Sequence, residues 1–519
     1  MKLMINGKEL KKEDNPVYLG VKLDTRMGLS EFTKDLKKAC ERRLNLVKRL
    51  AGTNWGAEKS VLRQLYIGYI RAKLDYCNPI QNVANKTAIE DLDKIQNQGL
   101  RLICGAMKST PIAACEIEAN IEPLDIRRQR SLVEAVERYH RVEPDHPNRK
   151  LVEQWKNKKR LQQQSPLEVF NSLSDNQHLP TNRKNESRFC NSAPWTETGS
   201  AEIKTDLSDK SVNKTSLPHV LKSTALETID SYPDSAIKVY TDGSAFKATV
   251  FAGYGVHIKF PDGSSEDLSE PCGNICSNYT AEIRAIITAI ETVQKAFETG
   301  KREPTDLVIF TDSKSALEAL GNHQSRNEDI IELANSISRL YKAFEKKIWL
   351  QWIPGHADVA GNDTADKLAK EGAQKEQMDT DVTQETVKQI LRNNSKEEWI
   401  RRWIEGSTGR CVFNEMTKPN SKDPINKMNR ADQSLIFQLR TGHSRLNSHI
   451  NRINPMNPPN CRNCDSPYET TQHVLLECTG SRALQQELLP PLPTIQNTLH
   501  SSQSQLENTC KFIRLALAL

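Results

Sequence analysis

Long apolar runs are absent: no stretch of about 18 apolar residues occurs, so neither a membrane-spanning helix nor a membrane partner is expected. The opening Met1-Lys2-Leu3-Met4-Ile5-Asn6 lacks the apolar segment of a secretory leader. Cysteines are too dispersed for a stapled scaffold. Twelve are scattered over 519 residues, and only Cys461, Cys464 and Cys478 cluster with a histidine, which excludes a secreted disulfide framework. Charge of one sign is lacking as well: 72 basic against 66 acidic residues give a net +6, too mild to demand a polyanionic partner yet compatible with one. An intracellular protein, in the nucleus, the cytoplasm or both, is the expectation.

What is present is length. The chain exceeds what one hydrophobic core can organise, so two to four units are expected, and more than one task. Residues 31–142 carry helix-period stripes, one through Val61, Leu62, Leu65, Tyr66, Tyr69 and Ile70, another through Ile89, Leu92, Ile95, Leu102 and Ile103. Lys34, Lys37, Lys38, Arg42, Arg43, Lys48 and Arg49 line this helical domain, either to track a phosphate backbone or simply as a solvated face. From 143 to 234 the periodicity fades into polar runs such as Gln162-Gln163-Gln164, too poor in apolar surface to offset ordering entropy, and a mostly disordered linker is expected. Residues 235–376 alternate strands with helices, the pattern of an α/β layer fold. A helical tail with cysteine and histidine occupies 377–519.

The middle domain places four acids at chosen positions. The strand Ile237–Thr241 leads into Asp242-Gly243-Ser244, where Gly243 is expected to permit a turn that leaves Asp242 accessible. A second strand, Leu307–Thr311, ends at Asp312, beside Asp242 if the strands pair. Between them, Ile283, Ile286, Ile287, Ile290 and Val293 form a helix stripe that leaves Glu282 on the side of the small Ala285 and Ala289. Asp366 follows a helix start, beside the stripe of Ala365, Leu368 and Ala369. Each acid alone reads as an ordinary turn or helix residue. Together, converging carboxylates repel one another unless a hard cation neutralises them, which implies Mg²⁺, with Mn²⁺ as a substitute.

Thr241-Asp242-Gly243-Ser244, Asn278-Tyr279-Thr280-Ala281-Glu282, Phe310-Thr311-Asp312-Ser313, and Trp352-Ile353-Pro354-Gly355-His356 followed by Gly361-Asn362-Asp363-Thr364-Ala365-Asp366 resemble, in order and spacing, the motifs of type 1 ribonucleases H. The resemblance implies catalytic roles for Asp242, Glu282, Asp312 and Asp366 as ligands of two Mg²⁺ ions, with Asp363 a decoy. It implies hydrolysis of the RNA strand of RNA/DNA hybrids, leaving 5′-phosphate and 3′-hydroxyl ends, and makes His356 a helper in proton movement or product release. Gly243, Ser244 and Asn278 are the expected readers of RNA 2′-hydroxyls. The segment 313–347 is expected to hold two helices with no basic protrusion between them.

The flanks resemble a different context. Pro16–Asp24, then Tyr66-Ile67-Gly68-Tyr69, Leu74-Asp75-Tyr76 and Ile95–Gly105, are similar to the last palm strand and the thumb of non-long-terminal-repeat retrotransposon reverse transcriptases, which makes residues 1–30 a palm remnant and 31–142 thumb-like. No Tyr-x-Asp-Asp motif precedes them, so DNA polymerisation is not expected. In the tail, Cys461-x2-Cys464-x8-His473-x4-Cys478 has donors and spacing for a structural, tetrahedral Zn²⁺ that presents Arg462 and Arg452 to nucleic acid, while His443 and His449 read as structural. Leu439-Arg440-Thr441-Gly442-His443 resembles what precedes that motif in jockey-like elements.

The expected architecture is multi-domain: an α/β ribonuclease H-like fold, with a mixed five-stranded sheet and flanking helices, between a helical thumb-like N-terminal domain and a helical zinc-binding C-terminal tail. A competing reading is a non-catalytic nucleic-acid-binding protein that grips with thumb and tail. The oligomeric state is left open.

Overall fold

Runs rich in β-branched and aromatic residues form strands, as a half-buried pleated surface favours. In a computed structural model of the chain, residues 4–5, 8–9, 13–25, 28–52, 55–156, 165–177, 179–184, 201–212, 216–322, 327–420 and 422–518 are described. They divide into two compact units, one comprising residues 134–157 and 174–392, the other residues 1–133, 158–173 and 393–519.

The first unit is built on strands β1 (Glu202–Lys204), β2 (Ile237–Phe246), β3 (Val250–Lys259), β4 (Ser265–Ile275), β5 (Leu307–Thr311) and β6 (Ile348–Trp352). Their order is β1-β6-β5-β2-β3-β4, with the β1-β6-β5-β2 pairs parallel and the β2-β3-β4 pairs antiparallel. The sheet is mixed, but it has six strands and not five. The extra edge strand, β1, comes from the segment expected to be a disordered linker. Three residues show no periodicity, and β1 exists because β6 offers it an edge, reinforced by the Trp349 indole N–H donating to Glu202 (2.9 Å).

The rest of that segment needs a similar correction. It holds the helices Pro147–Glu153 and Pro166–Gln177, and α1 (Pro218–Asp230), which buries Ala225 and Ile229. The run Gln162–Gln164 lies outside the described residues.

Strand residues alternate between two cores, as a period of two dictates. Ile237, Val239, Leu307, Ile309 and Leu350 pack with α2 (Asn278–Glu298), α3 (Lys314–Gly321) and α4 (Glu328–Phe344). Tyr240, Val308 and Phe310 pack with α1 and with Ala365 of α5 (Ala360–Gln374). The segment 313–347 holds two helices, α3 and α4, as expected.

The second unit revises the expected domain order. Its single core joins Leu36, Leu62, Tyr66, Ile70, Leu74, Leu92 and Ile103 from the thumb-like segment to Trp403, Ile436, Phe437, Phe512 and Ile513 from the tail. The two segments are therefore one unit. Arg430, almost fully buried, donates to the carbonyls of Leu102, Ile103 and Gly52 at 2.6–3.0 Å. Lys59, Glu118, Arg440 and Asp423 form a buried ion network whose contacts run from 2.5 to 3.6 Å. Sequence periodicity reports which face of a helix is apolar, not which distant segment covers it.

Two local expectations also change. Val61 and Tyr69 are exposed, while Leu62, Tyr66, Ile70 and Leu74 are buried at four-residue steps; a π-helical turn at Tyr66–Arg71 widens the helix and holds that spacing on one face. The expected strand Pro16–Asp24 is a hairpin of Val17–Tyr18 with Val21–Lys22, because Leu19 and Gly20 both take positive φ (49° and 77°), the tight-turn geometry.

Candidate active site

Pairing of β2 with β5 ends at Thr241 opposite Thr311, so Asp242 and Asp312 emerge from adjacent parallel strands at one level. Glu282 comes from the second turn of α2, whose start is set by Ser277 accepting the Thr280 N–H (3.1 Å). Gly243 makes the meeting possible, for a reason other than the expected turn. Strand β2 runs straight through it, pairing Gly243 with Tyr254, and a Cβ there would collide with the backbone nitrogen of Glu282. Only glycine lets α2 lie this close to β2.

Carboxylate oxygens of Asp242, Glu282 and Asp312 lie within 4.8 Å of one another. Asp366 on α5 is near enough for its charge to act on Asp242 but stands outside that tight trio, and Lys370 donates to Asp366 at 2.6 Å. Asp363 is exposed. Asp242 and Glu282 are only 7% and 5% exposed, which makes their shared charge costly. Burial, then the charges of Asp312 and Asp366, push the Asp242 carboxyl up to about 8. Burial, then Asp242 and Asp312, hold Glu282 well above the usual carboxylate range. The Gly243 N–H partly offsets both shifts, so this amide serves the carboxylates. Glu282 Oε2 is buried without a hydrogen-bond partner. An all-oxygen, electrostatically frustrated cluster with an orphaned acceptor fits a hard divalent cation.

The loop after β6 closes one side. A Cβ on Gly355 would collide with Asp312 Oδ2, so the loop backbone lies against that carboxylate, and the Trp352 indole donates to the Asp312 carbonyl (3.2 Å). Trp352 and Gly355 thus shape the site, a role that the motif alone did not assign. His356 follows, exposed and at φ 53°, and is not among the grouped residues. Ser244 and Asn278 are half-buried; the Asn278 N–H donates to Ala248, tying α2 to the β2–β3 turn (3.2 Å).

In the second unit, Cys461, Cys464, His473 and Cys478 converge. Cys478 Sγ is 3.8 Å from Cys461 Sγ and from Cys464 Sγ, and Cys464 Sγ is 3.3 Å from His473 Nε2. A tetrahedral zinc with ordinary bond lengths spans ligand–ligand edges of about 3.5–3.8 Å. Residues 461–466 form a knuckle turn, closed by Cys461 N–H to the Ser466 carbonyl (3.0 Å). His473–Glu477 form a π-turn, with the Cys478 N–H donating to His473; the wider turn brings residues five apart to one side. The Ser466 N–H draws the Cys464 thiol down to about 7, toward the ligating thiolate. Arg462 is exposed, and its guanidinium also clamps the buried Glu469 (2.8–2.9 Å), which ties it to the knuckle. His443 and His449 share the Ser109 hydroxyl at 3.0 Å each, as structural residues.

The sequence model of the ribonuclease H family matches residues 234–374. The chain is 29% identical over 151 residues to ribonuclease H of Rickettsia canadensis, covering 27% of this chain and 90% of that protein. It is 29% identical over 164 residues to ribonuclease H of Saccharomyces cerevisiae, covering 27% of this chain and 46% of that protein. Solved structures similar to it include ribonuclease H1 of Halobacterium salinarum (22% identity, 26% of this chain, 96% of that one, TM-score 0.22) and LC11-RNase H1 in complex with an RNA/DNA hybrid (20%, 26%, 97%, 0.22). Residues 234–374 are a ribonuclease H domain, and the chain's enzyme class is ribonuclease H.

Proposed function

We propose that this chain hydrolyses the RNA strand of RNA/DNA hybrids with two divalent ions, Mg²⁺ or Mn²⁺, leaving 5′-phosphate and 3′-hydroxyl ends. The convergence of Asp242, Glu282 and Asp312, with an orphaned Glu282 oxygen, inside the ribonuclease H segment carries this reading. Asp242, Glu282, Asp312 and Asp366 would hold the ions, which when bound lower the pKa of water and stabilise the leaving oxygen. Asp242 borders both Asp312 and Asp366 and suits the bridging position. Ser244 and Asn278 would read 2′-hydroxyls, a role supported by their half-buried positions where β2 and α2 meet. His356, exposed beside the site, is available for proton transfer.

The test is hydrolysis of an end-labelled hybrid in Mg²⁺ by the full chain and by Asp312→Asn. A rate loss of about 10³-fold in the variant is expected, the scale of removing one group that stabilises transition-state charge. Equal cleavage by both proteins would refute the assignment.

Zn²⁺ is our reading of the Cys461, Cys464, His473, Cys478 group, on thiolate and imidazole donors at tetrahedral spacing. We further read the chain as part of a non-long-terminal-repeat, jockey-like retrotransposon polyprotein, acting in the nucleus or cytoplasm on hybrids left by first-strand synthesis. Support comes from the chain order of thumb-like segment, ribonuclease H and Cys-Cys-His-Cys segment.

A further inference from the structure

Strand β4 ends in Cys272-Gly273-Asn274-Ile275, and Cys276 follows directly. On a regular strand, residues four apart are separated by about 13 Å. Here the chain bends, with Gly273 at φ 128° and a register shift in the β3–β4 ladder, and the two sulfurs lie 3.2 Å apart, the Cys276 thiol donating to Cys272. Cys272 is half-buried and Cys276 buried against Ala252 and Ala281. The hydrogen bond from Cys276, aided by the Arg284 charge and opposed by burial, holds the Cys272 thiol below its usual range. One sulfur is thus the reachable nucleophile and the other a shielded neighbour, the arrangement that thiol–disulfide exchange requires.

We propose that Cys272 and Cys276 form a modification site at which a low-molecular-weight disulfide, of the glutathione disulfide class, installs an intramolecular disulfide that slows the nuclease. The Cys272 thiolate attacks one sulfur of the small disulfide, breaking its S–S bond and releasing one thiolate. Cys276 then gives up its proton and attacks the Cys272 sulfur, releasing the second. Two protein thiols are oxidised, one small disulfide is reduced to two thiols, and the two protons lost end on those thiols.

The site is coupled to the nuclease by the chain itself. Bonding the sulfurs at about 2.0 Å draws them together by roughly 1.2 Å. Cys276 directly precedes the helix cap Ser277 and Asn278, and its N–H donates to Thr249 (3.2 Å). The start of α2 has no slack, since it already sits where any Cβ on Gly243 would strike Glu282. A pull on Cys276 is therefore passed to Glu282. This rate effect rests on the proposed hydrolysis; formation of the bond does not.

The experiment incubates the full chain with oxidised or reduced glutathione, blocks free thiols by alkylation, and weighs the tryptic peptide from Phe260 to Arg284 alongside hybrid-cleavage rates. The peptide should escape alkylation after oxidation and lose two hydrogens, and the rate should fall about tenfold or more, as small displacements in a metal site do. Dithiothreitol should restore it, and Cys272→Ser and Cys276→Ala should hold their rates in both buffers. Alkylation of both cysteines after oxidation, or a lasting glutathione adduct on Cys272, would overturn the site. A bond that forms without slowing cleavage would overturn the control. If the reduced protein cleaves no hybrid, the hydrolysis reading fails while the peptide mass still decides the site.

Discussion

The chain assembles two clusters, three carboxylates from distant stretches with Asp366 beside them, and three thiols with an imidazole from one short stretch, and they differ in what they do to the fold around them. The carboxylates are brought together against their own repulsion, with Asp242 and Glu282 both raised and one oxygen left without a partner. The surrounding structure bears that cost, through a glycine that tolerates no side chain and a loop pressed on Asp312. The cysteine and histidine atoms already stand at the edges of a small tetrahedron, tied by backbone hydrogen bonds to the knuckle and the π-turn. Carboxylates held against repulsion make a site for chemistry; donors that close two chain segments on each other make a brace.

The largest effect expected from breaking this contrast is on the brace. Cys478→Ser should destabilise the second unit by at least about 4 kcal/mol in urea unfolding, the scale of losing a structural metal, while the folded fraction still cleaves hybrid. An unchanged midpoint would mean that the cluster braces nothing.

Next in size is the joint between the N-terminal and C-terminal segments. Arg440→Met strands the buried Asp423 and Glu118 and should cost about 3 kcal/mol, read from the same unfolding midpoint. A neutral outcome would separate the two segments again.

Gly243→Ala sharpens the other side of the comparison: a methyl against Glu282 should lower the cleavage rate about 100-fold, as a displacement of roughly an ångström at a reacting centre does, with hybrid affinity kept. A fall in affinity with an unchanged turnover number would contradict this.

The most gradual effect, smallest per pH unit for a single group, is titration. Asp242, raised to about 8 from 3.8, and Glu282, raised in the same sense, bind protons in the folded state that the unfolded chain releases. Stability without divalent ions should therefore fall as pH rises from about 4 to about 8, by up to about 1.4 kcal/mol per unit for each group, and Mg²⁺ should flatten the slope. Melting temperatures recorded across that window check the sign; a metal-free protein that grows more stable with pH would refute it.

Legibility in the sequence followed the range of the interactions involved. Asp242, Glu282 and Asp312 were readable because each sits at a fixed place on a locally determined strand or helix, and the knuckle spacing of Cys461 and Cys464 is equally local. The sixth strand was not: Glu202–Lys204 has no pattern of its own and forms only where β6 leaves an edge. The role of Gly243 was misjudged for the same reason, since the α2 backbone that needs its missing Cβ comes from residues nearly forty positions later. The pairing of Arg462 with Glu469 was likewise not readable, because the two meet only once the knuckle closes.

From the order of residues alone came the acids, the cysteine and histidine donors and the apolar face of each helix, because these depend on side-chain chemistry and on periods of two and 3.6 residues. Tertiary structure decided which faces cover one another: that residues 31–133 and 393–519 share a core, that the sheet gains an edge from a polar stretch, and that a cysteine near the end of β4 meets the one just past it. Burial of apolar area favours contact without naming the partner, so only the packed chain selects which of many apolar faces meet.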